Sequence, residues 1–244
     1  MTDPVTEAKS MSEWQRIVGI FWEPRPVFED LAVRPRWWAP LILMTVLAVG
    51  YVSTFSRVVG WESFMRQQIQ SNTRTQQLSV EQQERIIQQQ VKFASVAGYG
   101  GSVVGVAVST LLIAAVLLGV FNLLGGTRLV YKQAFSITCY SFLPTALSTI
   151  MAWVVMLLKD PSDFDLQNPH VLNVGAFLDP NTTAKWVHSL ARSVDAFSIW
   201  VMLLLAIGFS AAAKNLRFAK SLTLVLSAWV VFVGLKSAWA GLFG

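Results

Sequence analysis

The chain has 244 residues, 54% of them apolar and 14% charged, roughly half the charged share of an ordinary soluble domain. With 19 basic and 14 acidic residues, a net charge of +5 and one cysteine, the composition excludes a disulfide framework, a multi-cysteine metal site and a disordered chain. The basic residues are scattered rather than clustered, so membrane topology explains them better than nucleic acid does.

Along the chain, the first 36 residues are polar or amphipathic and resemble no cleaved signal peptide. Trp14, Ile17, Val18 and Phe21 recur at helical spacing, Trp22 follows, and Pro24 ends the turn. Val27, Phe28 and Leu31 make a second short stretch after Pro26, which suits the first position of a helix. Trp37 and Trp38 mark headgroup depth at the start of the first span. Residues 1–36 thus predict an amphipathic arm with Trp14, Phe21, Trp22, Trp37 and Trp38 at the interface. The arm either lies on the cytoplasmic surface or packs its apolar face on its own bundle.

Crossing a bilayer takes about 20 apolar residues, and five runs qualify: Trp37–Phe55, Phe93–Leu124, Ala134–Leu158, Val194–Ala213 and Leu222–Leu242. The fold class is therefore all-α: a polytopic membrane protein with five transmembrane helices over residues 37–244, preceded by the amphipathic arm. Between the first two runs, segment 61–92 holds ten Gln. Ser79 and Gln82 form a capping-box pattern, which predicts a helix from Val80 running unbroken into span two. Its Gln side chains solvate an outer projection or meet a partner.

In span two, Ala97, Gly101, Gly105 and Ser109 form a small-residue ridge for close helix packing within the chain, or for a seam between copies in an oligomer. Span three carries the polar stripe Thr138, Ser141, Thr145 and Ser148, interrupted by Pro144, which bends the helix. Hydroxyl packing accounts for the stripe, and a substrate path is the alternative reading. The outer loop 159–193 has turns at Pro161, Asn168-Pro169 and Asp179-Pro180-Asn181, and its apolar residues predict a cap folded onto the bundle mouth. His170 and His188 lack a convincing third ligand; the four acidic residues nearby make a metal site conceivable, but none is expected. Asp195 opens span four and Lys236 lies in span five at similar height, where the two either pair or snorkel separately.

Orientation follows from the short connections. Arg128 and Lys132, and Lys214, Arg217 and Lys220, stand in loops without acids, which predicts that both loops and the N-terminus face the cytoplasm and the C-terminus the outside. Arg57, Arg66, Arg74, Arg85 and Lys92 argue the other way, but most of that long segment lies far from the membrane. No Walker loop, His-Glu-x-x-His, nucleophile elbow or membrane-embedded acid pair occurs, so neither catalytic residues nor a cofactor is expected.

Several stretches together resemble a known family. Trp14 to Pro24, then Pro35-Arg36-Trp37-Trp38-Ala39-Pro40, then Gly125-Gly126-Thr127-Arg128 leading through Lys132-Gln133-Ala134-Phe135 to Tyr140-Ser141-Phe142-Leu143-Pro144, resemble the Yip domain family in its bacterial branch. Val194-Asp195-Ala196-Phe197-Ser198-Ile199-Trp200, with Gly208 and Lys220, is similar to the same branch. The resemblance implies a five-helix integral protein of the bacterial inner membrane with a cytosolic N-terminus. Eukaryotic members bind small GTPases of the Ypt/Rab type. The Asp-Leu-Tyr-Gly-Pro element by which those members are commonly recognised is absent here, so the resemblance carries fold and topology rather than that partner. The expectation is a non-catalytic membrane scaffold or adaptor that meets lipid and a membrane or cytosolic protein. The alternative is a transporter or channel component.

Overall fold

The computed structural model describes residues 10–71, 75, 77–160, 173–178, 183–213 and 215–243. Its described residues are helical apart from connections and one isolated bridge. In chain order the helices are α1 (Glu13–Trp22), α2 (Pro24–Val33), α3 (Trp38–Val58), α4 (Trp61–Ser71), α5 (Val80–Gly100), α6 (Val106–Leu123), α7 (Tyr131–Ser141), α8 (Leu143–Leu158), α9 (Lys185–Arg192), α10 (Ala196–Ala212) and α11 (Phe218–Phe243). A five-residue π turn, Gly101–Gly105, joins α5 to α6, and the pair forms one 44-residue helix. This is the unbroken helix anticipated from Ser79, whose hydroxyl accepts from the Gln82 amide at 3.3 Å while the Gln82 side chain accepts from the Ser79 amide at 3.1 Å.

Four helical stretches are long and apolar enough to cross a membrane: Trp38–Val58, Val80–Leu123, Tyr131–Leu158 and Phe218–Leu242. Ala196–Ala212 is apolar but shorter, at 17 residues. Their outward faces carry Ile42, Val46, Leu112, Val116, Val231, Phe232 and Leu235, all exposed. Water would not tolerate that much contiguous apolar surface, whereas lipid does. The chain is an integral multi-pass membrane protein.

Pro144 acts as its chemistry requires. Span three breaks at Phe142 into α7 and α8, with Pro144 in the first turn of α8, where its missing donor costs least. The Phe142 carbonyl accepts from the Thr145 amide at 2.9 Å. At the next connection Asn122 binds the turn after α6 together. Its side-chain oxygen accepts from Thr127 Oγ1 at 2.7 Å and from the Leu129 amide at 3.0 Å, and its amide donates to the Leu129 carbonyl. Gly126 supplies the left-handed φ of 69° that this reversal needs.

The N-terminal arm departs most from a surface helix. Ser12 caps α1 through a reciprocal box with Gln15, and α2 starts at Pro24, two residues before the expected Pro26. The two helices form a hairpin whose Ile20, Val27, Phe28 and Leu31 are fully buried in the main core with α6, α7, α10 and α11. Gly208 makes this possible, since a Cβ there would meet Ile137 at 2.5 Å and Phe28 at 2.9 Å. At one end of α2 the Ala32 carbonyl accepts from Gln133 Nε2 at 2.7 Å. At the hairpin's other end Phe21 packs edge-on against Trp200, with ring centroids 5.6 Å apart. Trp200 lies twelve residues from the end of α10 at Ala212, roughly 18 Å at 1.5 Å per residue. The hairpin is thus packed along the bundle by one face.

At the opposite end, α4 folds back on α5 through Met65, Ile69 and Ile87. Arg66 bridges Glu62 and Glu84, which hold its guanidinium above its ordinary pKa chiefly through the Glu62 hydrogen bond. The described part of the loop after α8 is a 3-10 turn, Val174–Phe177, and α9. Trp186 of α9 lies over Gly241 of α11, so α9 packs on that helix, whereas Val174 and Phe177, two of the apolar residues from which a cap was expected, are exposed. Pro161, Asn168, Pro169 and His170 lie outside the described residues, as do Asp179, Pro180, Asn181 and Lys214.

Candidate functional site: a buried latch beneath the N-terminal hairpin

Charge is scarce in this chain, which makes a charge buried inside it informative. Arg16 is 1% exposed. Its Nη1 donates to Glu13 Oε1 at 2.9 Å and its Nε to Asp30 Oδ2 at 2.7 Å. Tyr140 of α7, itself fully buried, donates its hydroxyl to Glu13 Oε2 at 2.6 Å. Arg36, just before α3, closes the cluster on Glu13 Oε1 at 3.3 Å.

The local sequence explains the assembly. Glu13 and Arg16 stand one turn apart on α1 and share a face with Ile20. Asp30 sits beside Leu31 on the buried side of α2. Two carboxylates and two guanidiniums leave the cluster formally neutral, and both Glu13 oxygens are engaged. Such a network is costly to desolvate, but it is strongly destabilising to leave half-made. Chemically it can hold three segments in register: the hairpin, the linker to α3, and α7.

On the arm, Trp14 and Trp22 are 73% and 81% exposed. Val18 is exposed too, while Ile17 and Phe21 are half-buried against the core. The buried face therefore runs through Glu13, Arg16 and Ile20, rotated from the one read from Trp14 and Val18. Trp37 and Trp38 are exposed beside the first span, and Trp37 tilts onto Phe135 with centroids 5.4 Å apart.

The small-residue ridge corrects the expectation of packing within the chain. Ala97, Gly101 and Ser109 are exposed, and a Cβ added at Gly101 or Gly105 would meet nothing within 4 Å. The face one residue along makes the contacts instead: Gly98 lies against the Trp61 indole, and Ser102 and Thr110 are buried.

In the polar stripe, Thr138, Ser141, Pro144 and Ser148 are buried in the bundle. Thr138 donates to the Ala134 carbonyl at 2.7 Å, and Thr145 to the Phe142 carbonyl at 2.6 Å. Thr145 alone of the stripe lines a cleft of about 170 Å³ between α3, α6 and α8, together with Met44, Thr110 and Thr149. The anticipated Asp195–Lys236 ion pair does not form. Asp195 caps α10, accepting from the Phe197 and Ser198 amides at 2.9 and 3.0 Å, while Lys236 donates to Ser193 at 3.1 Å. Capping satisfies the carboxylate within its own helix end, so the ammonium takes the nearby hydroxyl. His188 is half-buried on α9.

Sequence reasoning missed Glu13, Arg16, Asp30 and Tyr140 as a unit. The available signal was the acid-base spacing of Glu13 and Arg16 inside an apolar turn, together with Asp30 between apolar neighbours.

The chain is similar to "Membrane protein YknW" of Bacillus subtilis (strain 168), 24% identical over 236 residues that cover 94% of each chain. No solved structure matches it significantly. The Yip1 domain family matches residues 18–239, spanning the second half of α1 to the last turns of α11. The chain belongs to the Yip1 domain family.

Proposed function

We propose that the protein is a non-catalytic scaffold of the bacterial cytoplasmic membrane, with five crossings, a cytoplasmic N-terminus and an outer C-terminus. The observation that carries the reading is the latch. Glu13, Arg16, Asp30 and Tyr140 hold the N-terminal hairpin in the bundle, so that Trp14, Val18 and Trp22 are presented outward on a fixed support. A rigid aromatic face bounded by lipid-facing helices suits a membrane or cytosolic protein partner, and the outward ridge of α5 and α6 offers a surface for a second copy. The basic loops at Arg128–Lys132 and Arg217–Lys220 support the orientation. The similarity to "Membrane protein YknW" supports the membrane location.

The competing reading, a transporter or channel component, draws on the cleft at Thr145. Its lining is apolar apart from hydroxyls, and those of Ser109, Thr110, Thr145 and Thr149 all donate to carbonyls of their own helix. Most of the stripe that would line a path is buried against neighbouring helices. Single cysteines at Thr138, Ser141, Thr145 and Ser148, in a Cys139→Ser background, distinguish the two. The scaffold predicts no reaction with a membrane-impermeant thiol reagent in intact cells, and a continuous reactive stripe would favour transport.

A further inference from the structure

The end of the bundle at which α2 leads into α3 also gathers cations that no acid opposes. Arg128 and Lys132 flank the start of α7, and Arg217 and Lys220 flank the start of α11. These two segments are neighbours. Lys220 Nζ reaches the Gly125 carbonyl at 3.5 Å, and Leu129, Leu216 and Leu224 share one buried cluster. All four cationic side chains are exposed. Among the described residues none of them joins an ion pair, whereas Glu13 and Asp30 are taken by Arg16 and Arg36, and Glu29 by Arg25.

The cations stand beside aromatic rings at the level where the lipid-facing surfaces stop. Tyr131 lies between Arg128 and Lys132 and stacks on Phe135, with centroids 6.1 Å apart. Phe218 follows Arg217 and is exposed, as are Trp37 and Trp38 on α3 and its approach. Amphipathic rings at the edge of an apolar belt mark headgroup depth. Cations immediately above such a belt meet lipid phosphates before they meet a soluble protein.

We propose that Arg128, Lys132, Arg217 and Lys220 form a binding surface for the headgroups of anionic phospholipids in the leaflet at this end. The surface holds whichever side of the membrane that end faces, and it does not depend on the scaffold reading. Each cation near an anionic surface is worth roughly a fivefold change in affinity, and added salt screens the attraction.

The test uses the full chain in phosphatidylcholine micelles, titrated with phosphatidylglycerol while the thermal midpoint is followed. The expected result is a midpoint that rises with phosphatidylglycerol and less so in high salt. R128Q/K132Q/R217Q/K220Q should lose the response, and the K92Q/K185Q control, which removes exposed cations elsewhere, should keep it. Equal stabilisation by the two lipids overturns the proposal, as does a phosphatidylglycerol response that survives in the quadruple variant. Binding of polyglutamate without a lipid preference also overturns it, in favour of an acidic protein partner. Should the quadruple variant fail to stay helical and monodisperse, Arg128→Gln and Arg217→Gln singly carry the test. Each is expected to weaken the lipid response roughly fivefold, and no change in either overturns the proposal.

Discussion

Arg16 is the side chain on which the arm depends, because both carboxylates of the latch are committed to it. Replacing it by Ala leaves Asp30 without its guanidinium in a largely dry site, while Glu13 keeps Arg36 and Tyr140; breaking a buried pair in this way costs about 3–5 kcal/mol. Unfolding of the purified protein in mixed micelles should read that loss. Tyr140→Phe removes one hydrogen bond to a charged acceptor and should cost about 1.5–3 kcal/mol, with the far end of the bundle unaffected in hydrogen exchange. Little of this could be read from sequence. Glu13 and Tyr140 are 127 residues apart, and apolar periodicity ranks Trp14 above Arg16 when choosing a buried face. Asp195 teaches the same lesson in reverse: height along a span suggested Lys236 as its partner, but the local capping geometry at Phe197 and Ser198 satisfies it first.

At the scale of elements, hydropathy made four spans legible because each is a long apolar run, whereas Ala196–Ala212 is apolar but shorter; Pro144 pointed to a bend in the third, which the structure shows as a break at Phe142. Faces were harder to read. The ridge Ala97–Ser109 has the small residues that close packing requires, yet what packs on α5 is the Trp61 indole at Gly98, from a Gln-rich helix that periodicity did not reveal. Gly208 on α10 is the small residue that a close approach does use. Gly208→Leu should displace Phe28 and free the hairpin, seen as faster proteolysis within residues 10–33, whereas Gly101→Leu, with open space around it, should leave proteolysis unchanged. Asn122→Ala leaves the Leu129 amide without its side-chain partner and loosens the turn before α7. That substitution should cost about 1–3 kcal/mol, checked by the same unfolding measurement.

For the whole molecule, the charges at the end where α2 leads into α3 fall into two sets. Exposed cations collect at the end where the hairpin meets the bundle, and the few charges drawn inside lock that hairpin in place. The N-terminal hairpin is an integral layer of the bundle rather than an arm on the membrane surface. Cysteines replacing Phe21 and Trp200 in a Cys139→Ser background, treated with a short bifunctional thiol reagent in native membranes, test it most directly. A parallel pair at Ala206 and Ser221, where α10 and α11 touch, reports reagent access. Residues 21 and 200 are expected to cross-link efficiently within one chain, and Arg16→Ala to reduce that greatly. Cross-linking at 206 and 221 with none between 21 and 200 would contradict it.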